Sequence, residues 1–190
     1  MSRRLQRNLL TLVILLSLSA FGISVSQEGS LAVPRKMPPA PPGYFPVASV
    51  ADGDTIGVTI AGKAETVRLI GIDTPETKDP RKPVQCFGKA ASAQAHKLLD
   101  GQVVRLEGDP ASSDRDKYQR LLRYVYLQDG TLINLSMIEN GYAFAYTLFP
   151  FTKIDEFRAA EQRARTANAG LWAGCDVRKE GQKSQTQDQP

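Results

Sequence analysis

The sequence predicts an α+β domain in which a small, largely antiparallel sheet closes as a barrel and helices pack beside it. Short β-branched segments separated by turn residues fill the first half of the central region, and helical periodicity is interleaved with them and strongest near the end. The chain has 190 residues, 42% of them apolar and 23% charged, which suits one domain with its own core. This composition excludes a fibrous or wholly disordered protein.

Strand signals occur in six short segments of the central region. β-branched residues are frequent in residues 55–60, and the preceding Asp52, Gly53 and Asp54 have the composition of a turn. In the third segment, alternation places Arg68 on the same face as apolar side chains. The predicted strands are residues 46–50, 55–60, 66–72, 102–106, 121–127 and 131–133, the last two joined by a hairpin turn.

Three helices are predicted after and between the strands. Residues 90–99 are rich in alanine and have apolar residues at helical spacing. A short helix follows, for which Asn134 is the expected N-cap. The longest helix covers residues 153–168, and Thr152 and Asp155 form a pair that resembles a capping box. A glycine ends each of the two later helices.

The two ends of the chain differ in composition from the domain. Residues 1–26 combine three arginines with a long apolar run, which is typical of an export signal cleaved before Gln27; the alternative is a retained N-terminal membrane anchor. Residues 27–45 form a proline-rich linker, residues 46–176 the folded domain and residues 177–190 a polar flexible tail. We therefore expect an exported protein, secreted or periplasmic, with membrane anchoring as the alternative.

Charge and histidine content limit the possible functions. The formal net charge is +4, but Arg3, Arg4 and Arg7 belong to the export segment. The domain itself is nearly neutral, so binding of a polyanion must depend on locally placed charges. The only histidine, His96, excludes mechanisms that need two imidazoles, such as two-histidine ribonucleases and phospholipase-D-like enzymes.

Two cysteines, Cys86 and Cys175, lie within the domain. Because the chain is expected to enter an oxidising compartment, a disulfide between them is our hypothesis. The residue content does not favour a tetrahedral zinc site, because the chain has neither a second histidine nor a close pair of cysteines.

Acidic residues gather at the ends of two predicted strands. Asp52 and Asp54 lie in the first turn, whereas Asp73 and Glu76 follow the strand that carries Arg68. If these strands pair, their ends meet and form a hard-oxygen pocket suited to Ca²⁺ or Mg²⁺. The alternative is that each acidic residue only stabilises its own turn.

A second cluster, of basic residues, lies within residues 115–123 and includes Lys117 and Arg120. A guanidinium group can bind two phosphate oxygens through parallel hydrogen bonds. A cation, arginines and a free carboxylate together are what phosphodiester hydrolysis requires. The alternative is that the basic cluster is a solvated loop.

Three separated motifs resemble the signature of the staphylococcal nuclease (thermonuclease) family. The motifs are Asp52-Gly53-Asp54-Thr55, the stretch from Arg68 to Glu76, and Asp116-Lys117-Tyr118-Gln119-Arg120. The likeness extends from about Pro46 to Ala173. It implies an OB-fold, which is a five-stranded β-barrel with about three packed helices, and a Ca²⁺-dependent hydrolase that cleaves DNA and RNA and leaves 3′-phosphate ends.

The resemblance also implies a role for each matching residue. The expected ligands of Ca²⁺ are Asp54, Asp73 and the main-chain carbonyl of Thr74. The expected catalytic residues are Arg68 and Arg120, which would bind the scissile phosphate, and Glu76, which would act as general base toward the attacking water. These roles agree with the chemistry of the residues, because two arginines can match charge that develops on phosphoryl oxygens.

The expected substrate-binding residues are Lys117, Tyr118 and Phe149. Four positions depart from the family pattern. Gln119 stands where the pattern has glycine, and Ala90 stands where glutamate is common. Thr147 and Phe149 lie near positions where tyrosines contact the nucleotide; Phe149 can stack on a base but has no hydroxyl to donate.

The expected partners are DNA and RNA, with single-stranded or locally open regions favoured, and the protein is expected to be a monomer without an obligate protein partner. Two other functions stay open at this point. One is an OB-fold module that binds nucleic acid without cleaving it. The other is an exported adaptor whose linker presents the domain to a protein partner.

Overall fold

The computed structural model describes residues 40–80 and 83–189. The predicted export signal and most of the predicted linker lie outside the described residues. The described ranges belong to one unit, Met37–Pro190. Within them, no helix combines the length and the apolar character that crossing a membrane requires.

Five strands form a closed barrel. The strands are β1 (Tyr44–Val50), β2 (Thr55–Ile60), β3 (Lys63–Leu69), β5 (Val103–Glu107) and β6 (Leu121–Tyr126). Neighbours pair in antiparallel fashion except β3 and β6, which pair in parallel and close the ring. Val58, Val67, Val104 and Val125 are fully buried, as expected where alternate side chains of each strand fill a small barrel. The predicted α+β barrel is confirmed.

The three predicted helices are present in the described part of the chain. They are α1 (Gly88–Leu99), α2 (Ile133–Glu139) and α3 (Ile154–Thr166), followed by one additional turn, α4 (Leu171–Gly174). Phe157 and Ala160 of α3 are fully buried in the core. The apolar side of α3, which the spacing of its apolar residues predicts, therefore packs into the core.

The third predicted strand stops earlier than its apolar pattern suggests. After β3 the chain turns at Gly71, whose φ is +74°, before it forms the short strand β4 (Ile72–Asp73), which pairs with β7 (Phe144–Ala145). A Cβ atom at Gly71 would lie 2.7 Å from the ring of Phe151, so the corner accepts only glycine. This corner directs the chain after β3 toward the acidic end of the barrel.

Two predicted caps are wrong because the side chains have buried partners elsewhere. Asn134 lies within α2 and does not cap it; its amide donates to the carbonyl of Ile70 at 2.9 Å and accepts from the N–H of Val125 at 2.9 Å. Thr152 donates both its N–H and its hydroxyl to Oδ2 of Asp109. Polar groups at buried positions must be paired, and this need outweighs local capping.

The strand predicted at residues 131–133 is also wrong. Within this described segment, Leu132 forms an isolated bridge with Tyr126, and the chain enters α2 at Ile133. Helix α2 therefore begins where the sequence predicted a strand, and its apolar residues pack into the core.

The expected flexible tail is wrong for most of its length. Strands β8 (Val177–Glu180) and β9 (Lys183–Thr186) form an antiparallel hairpin around Gly181, whose φ is +62°. The hydroxyl of Thr186 donates to the carbonyl of Cys86 at 2.7 Å, which ties the hairpin to the segment before α1. The strands are mostly polar and half of their residues are exposed, so no apolar alternation marks them in the sequence.

The sulfur atoms of Cys86 and Cys175 lie at bonding distance, as the disulfide hypothesis predicts. The bond joins the segment before α1 to the end of α4, directly before the hairpin. The hairpin is thus attached to the domain both covalently and by hydrogen bonds.

Candidate active site

The turn between β1 and β2 presents a buried carboxylate. Asp54 accepts hydrogen bonds from the hydroxyl of Thr55 at 3.0 Å and from the N–H and hydroxyl of Thr74 at 3.0 and 3.1 Å. A Cβ atom on Gly53 would lie 2.6 Å from Cγ2 of Thr74, so only glycine lets this turn approach the residues that follow β4. The turn and the end of β4 therefore meet, as the sequence predicted.

Arg68, near the end of β3, connects the two acidic segments. Its Nη2 lies 3.1 Å from Oδ2 of Asp54 and 3.2 Å from Oδ1 of Asp73. Its Nη1 donates to the main-chain carbonyls of Leu69 and Ile72 at 3.2 and 2.8 Å. The guanidinium group is 14% exposed and the two carboxylates 9% and 11%, so these charges interact with little screening by water.

Burial raises the pKa of all three aspartates of this cluster, but the net shifts do not have the same direction. Burial alone would raise the pKa of Asp54, but Arg68 and the hydrogen bonds from Thr74 outweigh it and hold that pKa below its usual range. Burial and repulsion from Asp54 raise the pKa of Asp73. Burial and the same repulsion raise the pKa of Asp52 to about 6. The Asp54 carboxylate is therefore the most firmly ionised of the three.

Lys183 of β9 also reaches this cluster. Its Nζ lies 2.9 Å from Oδ2 of Asp73. Burial would lower the pKa of Lys183, but the neighbouring Asp73 carboxylate outweighs burial and raises it. Sequence reasoning missed this residue because the hairpin was expected to be a tail; the glycine between two four-residue polar segments was the available signal.

Glu76 lies in the loop after β4, with its carboxylate fixed by the backbone. Oε1 accepts hydrogen bonds from the N–H groups of Thr77, Lys78 and Asp79 at 2.9, 2.7 and 3.0 Å. These amides outweigh partial burial and hold the pKa of Glu76 below its usual range. The N–H of Glu76 donates to the side chain of Gln85 at 2.8 Å, which positions the loop.

Arg120 is held by Asp116, a residue to which the sequence analysis gave no role. Nε and Nη2 of Arg120 both lie 2.7 Å from Oδ2 of Asp116. Oδ1 of Asp116 accepts from the N–H groups of Tyr118 and Arg120 at 2.9 and 3.0 Å, which closes the loop before β6. Asp116 therefore shapes the loop with one oxygen and orients the guanidinium group with the other.

The backbone conformation at Gln119 explains why the family pattern has glycine at this position. Its φ is +64°, a left-handed conformation that is strained for a residue with a side chain. The carbonyl of Gln119 accepts a hydrogen bond from Arg115 at 2.7 Å. Arg115 also pairs with Glu65, and Arg123 pairs with Asp114, so these two members of the basic cluster are engaged in the fold.

All nine predicted site residues line one crevice of about 770 Å³. They are Asp54, Arg68, Asp73, Thr74, Glu76, Lys117, Tyr118, Arg120 and Phe149. Tyr118 is 67% and Phe149 66% exposed, which is unusual for large apolar side chains. The ring centroid of Phe149 lies 6.0 Å from that of Tyr146, and Nζ of Lys117 lies 5.0 Å from the Tyr118 ring centroid. The crevice is thus lined by both charged side chains and exposed aromatic rings.

The donor atoms at the acidic end fit a hard divalent cation. Among the described residues, no group of three or more histidine, cysteine, aspartate or glutamate side chains is arranged for a metal ion. However, Asp54 and Asp73 both contact one nitrogen atom of Arg68, so their carboxylates lie within reach of a single ion. Oxygen donors without nitrogen or sulfur suit Ca²⁺ or Mg²⁺, with water completing the coordination.

Comparison with known proteins matches this region to one family. The family described as staphylococcal nuclease homologue matches residues 66–174. The SPbeta prophage-derived endonuclease YokF of Bacillus subtilis (strain 168) is 44% identical over 124 residues, which are 64% of this chain and 41% of that protein. Endonuclease YncB of the same organism is 44% identical over 124 residues, 64% of this chain and 58% of that protein. In both cases the match spans less than two thirds of the relative.

A thermonuclease of Staphylococcus intermedius is 42% identical over 130 residues, which are 66% of this chain and 74% of that protein. The family match over residues 66–174 contains the crevice-lining motifs around Arg68 and Arg120. The chain therefore belongs to the family of staphylococcal nuclease homologues.

Proposed function

We propose that this protein is a Ca²⁺-dependent nuclease that hydrolyses phosphodiester bonds of DNA and RNA and leaves 3′-phosphate ends. The observation that carries the proposal is the convergence of two buried carboxylates, two arginines and Glu76 in one crevice. The names of the relatives, which are endonucleases and thermonucleases, support the same reaction.

The cation would be held by Asp54, Asp73 and the main-chain carbonyl of Thr74. This assignment is supported by the carboxylate oxygens of Asp54 and Asp73, which both contact the same nitrogen atom of Arg68. When bound, Ca²⁺ neutralises charge on the scissile phosphate and polarises it. Asp54 is suited to this task because the low pKa of its carboxyl keeps it ionised at neutral pH.

Arg68 and Arg120, which both line the crevice, bind the phosphate. Each guanidinium group is oriented by a carboxylate, Arg68 by Asp54 and Asp73 and Arg120 by Asp116. Because the donors are held in position, they stabilise negative charge that grows on the phosphoryl oxygens without reorganising. Loss of either arginine should therefore reduce turnover more than binding.

Glu76 accepts a proton from the attacking water. The three amides on Oε1 hold the carboxylate in one orientation and keep it ionised. The water oxygen bonds to phosphorus as the bond from phosphorus to the 5′-oxygen breaks, and the 5′-oxygen takes up a proton from solvent, so the phosphate stays on the 3′ side.

Lys117, Tyr118 and Phe149 bind the nucleotide around the scissile bond. Two exposed aromatic rings beside a cationic loop suit bases that are unstacked, because base stacking on an aromatic ring does not depend on base identity. We therefore infer a preference for single-stranded or locally open regions, in DNA and in RNA.

The experiment is cleavage of a 5′-labelled single-stranded DNA and of an RNA in Ca²⁺, in Mg²⁺ and in chelator, in parallel. We expect cleavage in Ca²⁺, none in chelator, and products whose ends change on treatment with a 3′-phosphatase. Glu76→Ala should lose activity, while Glu107→Ala, an exposed residue of β5, should retain it.

Three outcomes would contradict the proposal: no cleavage by folded protein in Ca²⁺, equal cleavage in chelator, or 5′-phosphate products. Binding of DNA without cleavage would indicate a nucleic-acid-binding module instead. Ca²⁺-independent binding to a protein surface, without cleavage, would indicate an adaptor.

We also infer that the protein is exported. The paired Cys86 and Cys175 support this, because disulfides persist in oxidising compartments. Sequencing the N-terminus of protein recovered outside the cytoplasm tests it: a start at Gln27 indicates signal cleavage, and an intact N-terminus in the membrane fraction indicates anchoring.

A further inference from the structure

Lys183 contacts Asp73, one member of the acidic pair Asp54 and Asp73, and lies outside the region that matches the family. The match ends at residue 174, and the β8–β9 hairpin follows it. Nζ of Lys183 lies 2.9 Å from Oδ2 of Asp73, while the Lys183 side chain remains 46% exposed. A positive charge from a separate element is therefore seated on one of the two carboxylates proposed to hold the cation.

The hairpin is fixed to the segment that also supports Glu76. The side chain of Gln85 accepts from the N–H of Glu76 at 2.8 Å and donates to the side chain of Gln185 at 3.1 Å. The N–H of Cys86 donates to the carbonyl of Gln187 at 2.7 Å. Because several bonds and the disulfide hold the hairpin here, the fold itself determines the position of Lys183.

Each carboxylate of the acidic pair, Asp54 and Asp73, contacts a positively charged side chain. Asp54 and Asp73 carry the negative charges, and Arg68 and Lys183 carry the positive ones. A divalent cation bound to Asp73 would come close to the Lys183 ammonium group. Like charges at short distance repel, so the cation and the ammonium group contact Asp73 together only at an electrostatic cost, which the partial exposure of Lys183 to water reduces.

We infer that Lys183 competes with the divalent cation: its ammonium group is the counter-ion of Asp73 in the metal-free protein and withdraws when the cation binds. This inference rests on the proposed function, because it assumes a cation at Asp54 and Asp73. The half-exposed side chain has a flexible four-carbon stem and a strongly hydrated head group, so it can move into water. The hairpin thus lowers the affinity of the site for Ca²⁺ and stabilises the acidic pair in its absence.

The test is calorimetric titration of CaCl₂ into the wild type and three variants. Lys183→Gln should bind Ca²⁺ at least about fivefold more tightly, equivalent to roughly 1 kcal/mol. Lys183→Arg keeps the charge and should stay within about twofold of the wild type. Lys179→Gln, an exposed position on β8 of the same hairpin, is the matched control and should not change the affinity.

Thermal unfolding gives a second readout. Without Ca²⁺, Lys183→Gln should have a lower Tm than the wild type, and it should gain more in Tm when Ca²⁺ is added. A purely structural role would lower Tm and leave the Kd for Ca²⁺ unchanged.

An equal or weaker affinity of Lys183→Gln would overturn the inference while leaving the proposed metal site intact. Equal tightening by Lys179→Gln would also overturn it, since the effect would then be one of general surface charge. If no variant, including the wild type, binds Ca²⁺, the proposed metal function fails and the inference fails with it.

Discussion

The pairing of Arg120 with Asp116 predicts losses of activity that are not additive. Arg120→Ala removes charge-assisted hydrogen bonds to phosphate, worth about 1.5–3 kcal/mol each, so we expect kcat to fall at least about tenfold, or about 1.4 kcal/mol in the barrier. Asp116→Asn keeps an oxygen acceptor for the turn amides but removes the ion pair that lies at 2.7 Å, so we expect a smaller loss of about three- to tenfold. The assay is the initial rate on single-stranded DNA at saturating Ca²⁺.

The double variant distinguishes orientation of Arg120 from any other role of Asp116. If Asp116 acts through Arg120, Asp116→Asn combined with Arg120→Ala has the kcat of Arg120→Ala alone. Losses that simply multiply would refute this coupling. Unchanged kcat in Arg120→Ala, with circular dichroism showing an intact fold, would refute the role of Arg120 itself.

Three further predictions concern stability. Gln119 has a φ of +64°, which glycine adopts without strain. The free energy of unfolding in urea should therefore be about 0.5–1 kcal/mol higher for the Gln119→Gly variant than for Gln119→Ala. Equal stabilities would count against backbone strain. Asp109 accepts four hydrogen bonds, which outweigh burial and hold its pKa low. Its folded state binds fewer protons than the unfolded chain, so this stabilisation is present above the ordinary pKa of about 4 and lost as the pH falls below it. Asp109→Asn should therefore cost about 2–4 kcal/mol at pH 7 and clearly less near pH 3, and a pH-independent cost would contradict the argument. Reduction of Cys86–Cys175, which are 89 positions apart, should remove about 4–5 kcal/mol and lower the Tm; a Tm that reductant does not change would exclude the bond.

The barrel was predictable because its signals are local. Period-two patterns of β-branched residues place β2 correctly, and turn residues such as Gly53 mark its start. The expected convergence of Asp54 and Arg68 also follows from strand order, since Asp54 directly precedes β2 and Arg68 lies near the end of β3, which pairs with β2. Asp73 follows β3 closely in the sequence.

What the sequence analysis missed depends on partners that are distant in sequence. Asn134 and Thr152 have the sequence features of helix caps, but their side chains form hydrogen bonds with buried groups that are distant in sequence. Lys183 looks like a residue of a solvated tail, because nothing near it in the sequence indicates that its hairpin is fastened to Cys86. The role of its charge follows from its contact with Asp73, which lies 110 positions earlier in the sequence.

The most direct test of whether the acidic pair supports catalysis is to measure the cleavage rate as a function of Ca²⁺ concentration for the wild type and for Asp54→Asn. If Asp54 holds the cation, the concentration of Ca²⁺ that gives half the maximal rate rises at least about tenfold in the variant, the loss expected when one charged ligand of a cation is neutralised. An unchanged half-saturating concentration in a folded Asp54→Asn protein would mean that the cation required for cleavage binds elsewhere.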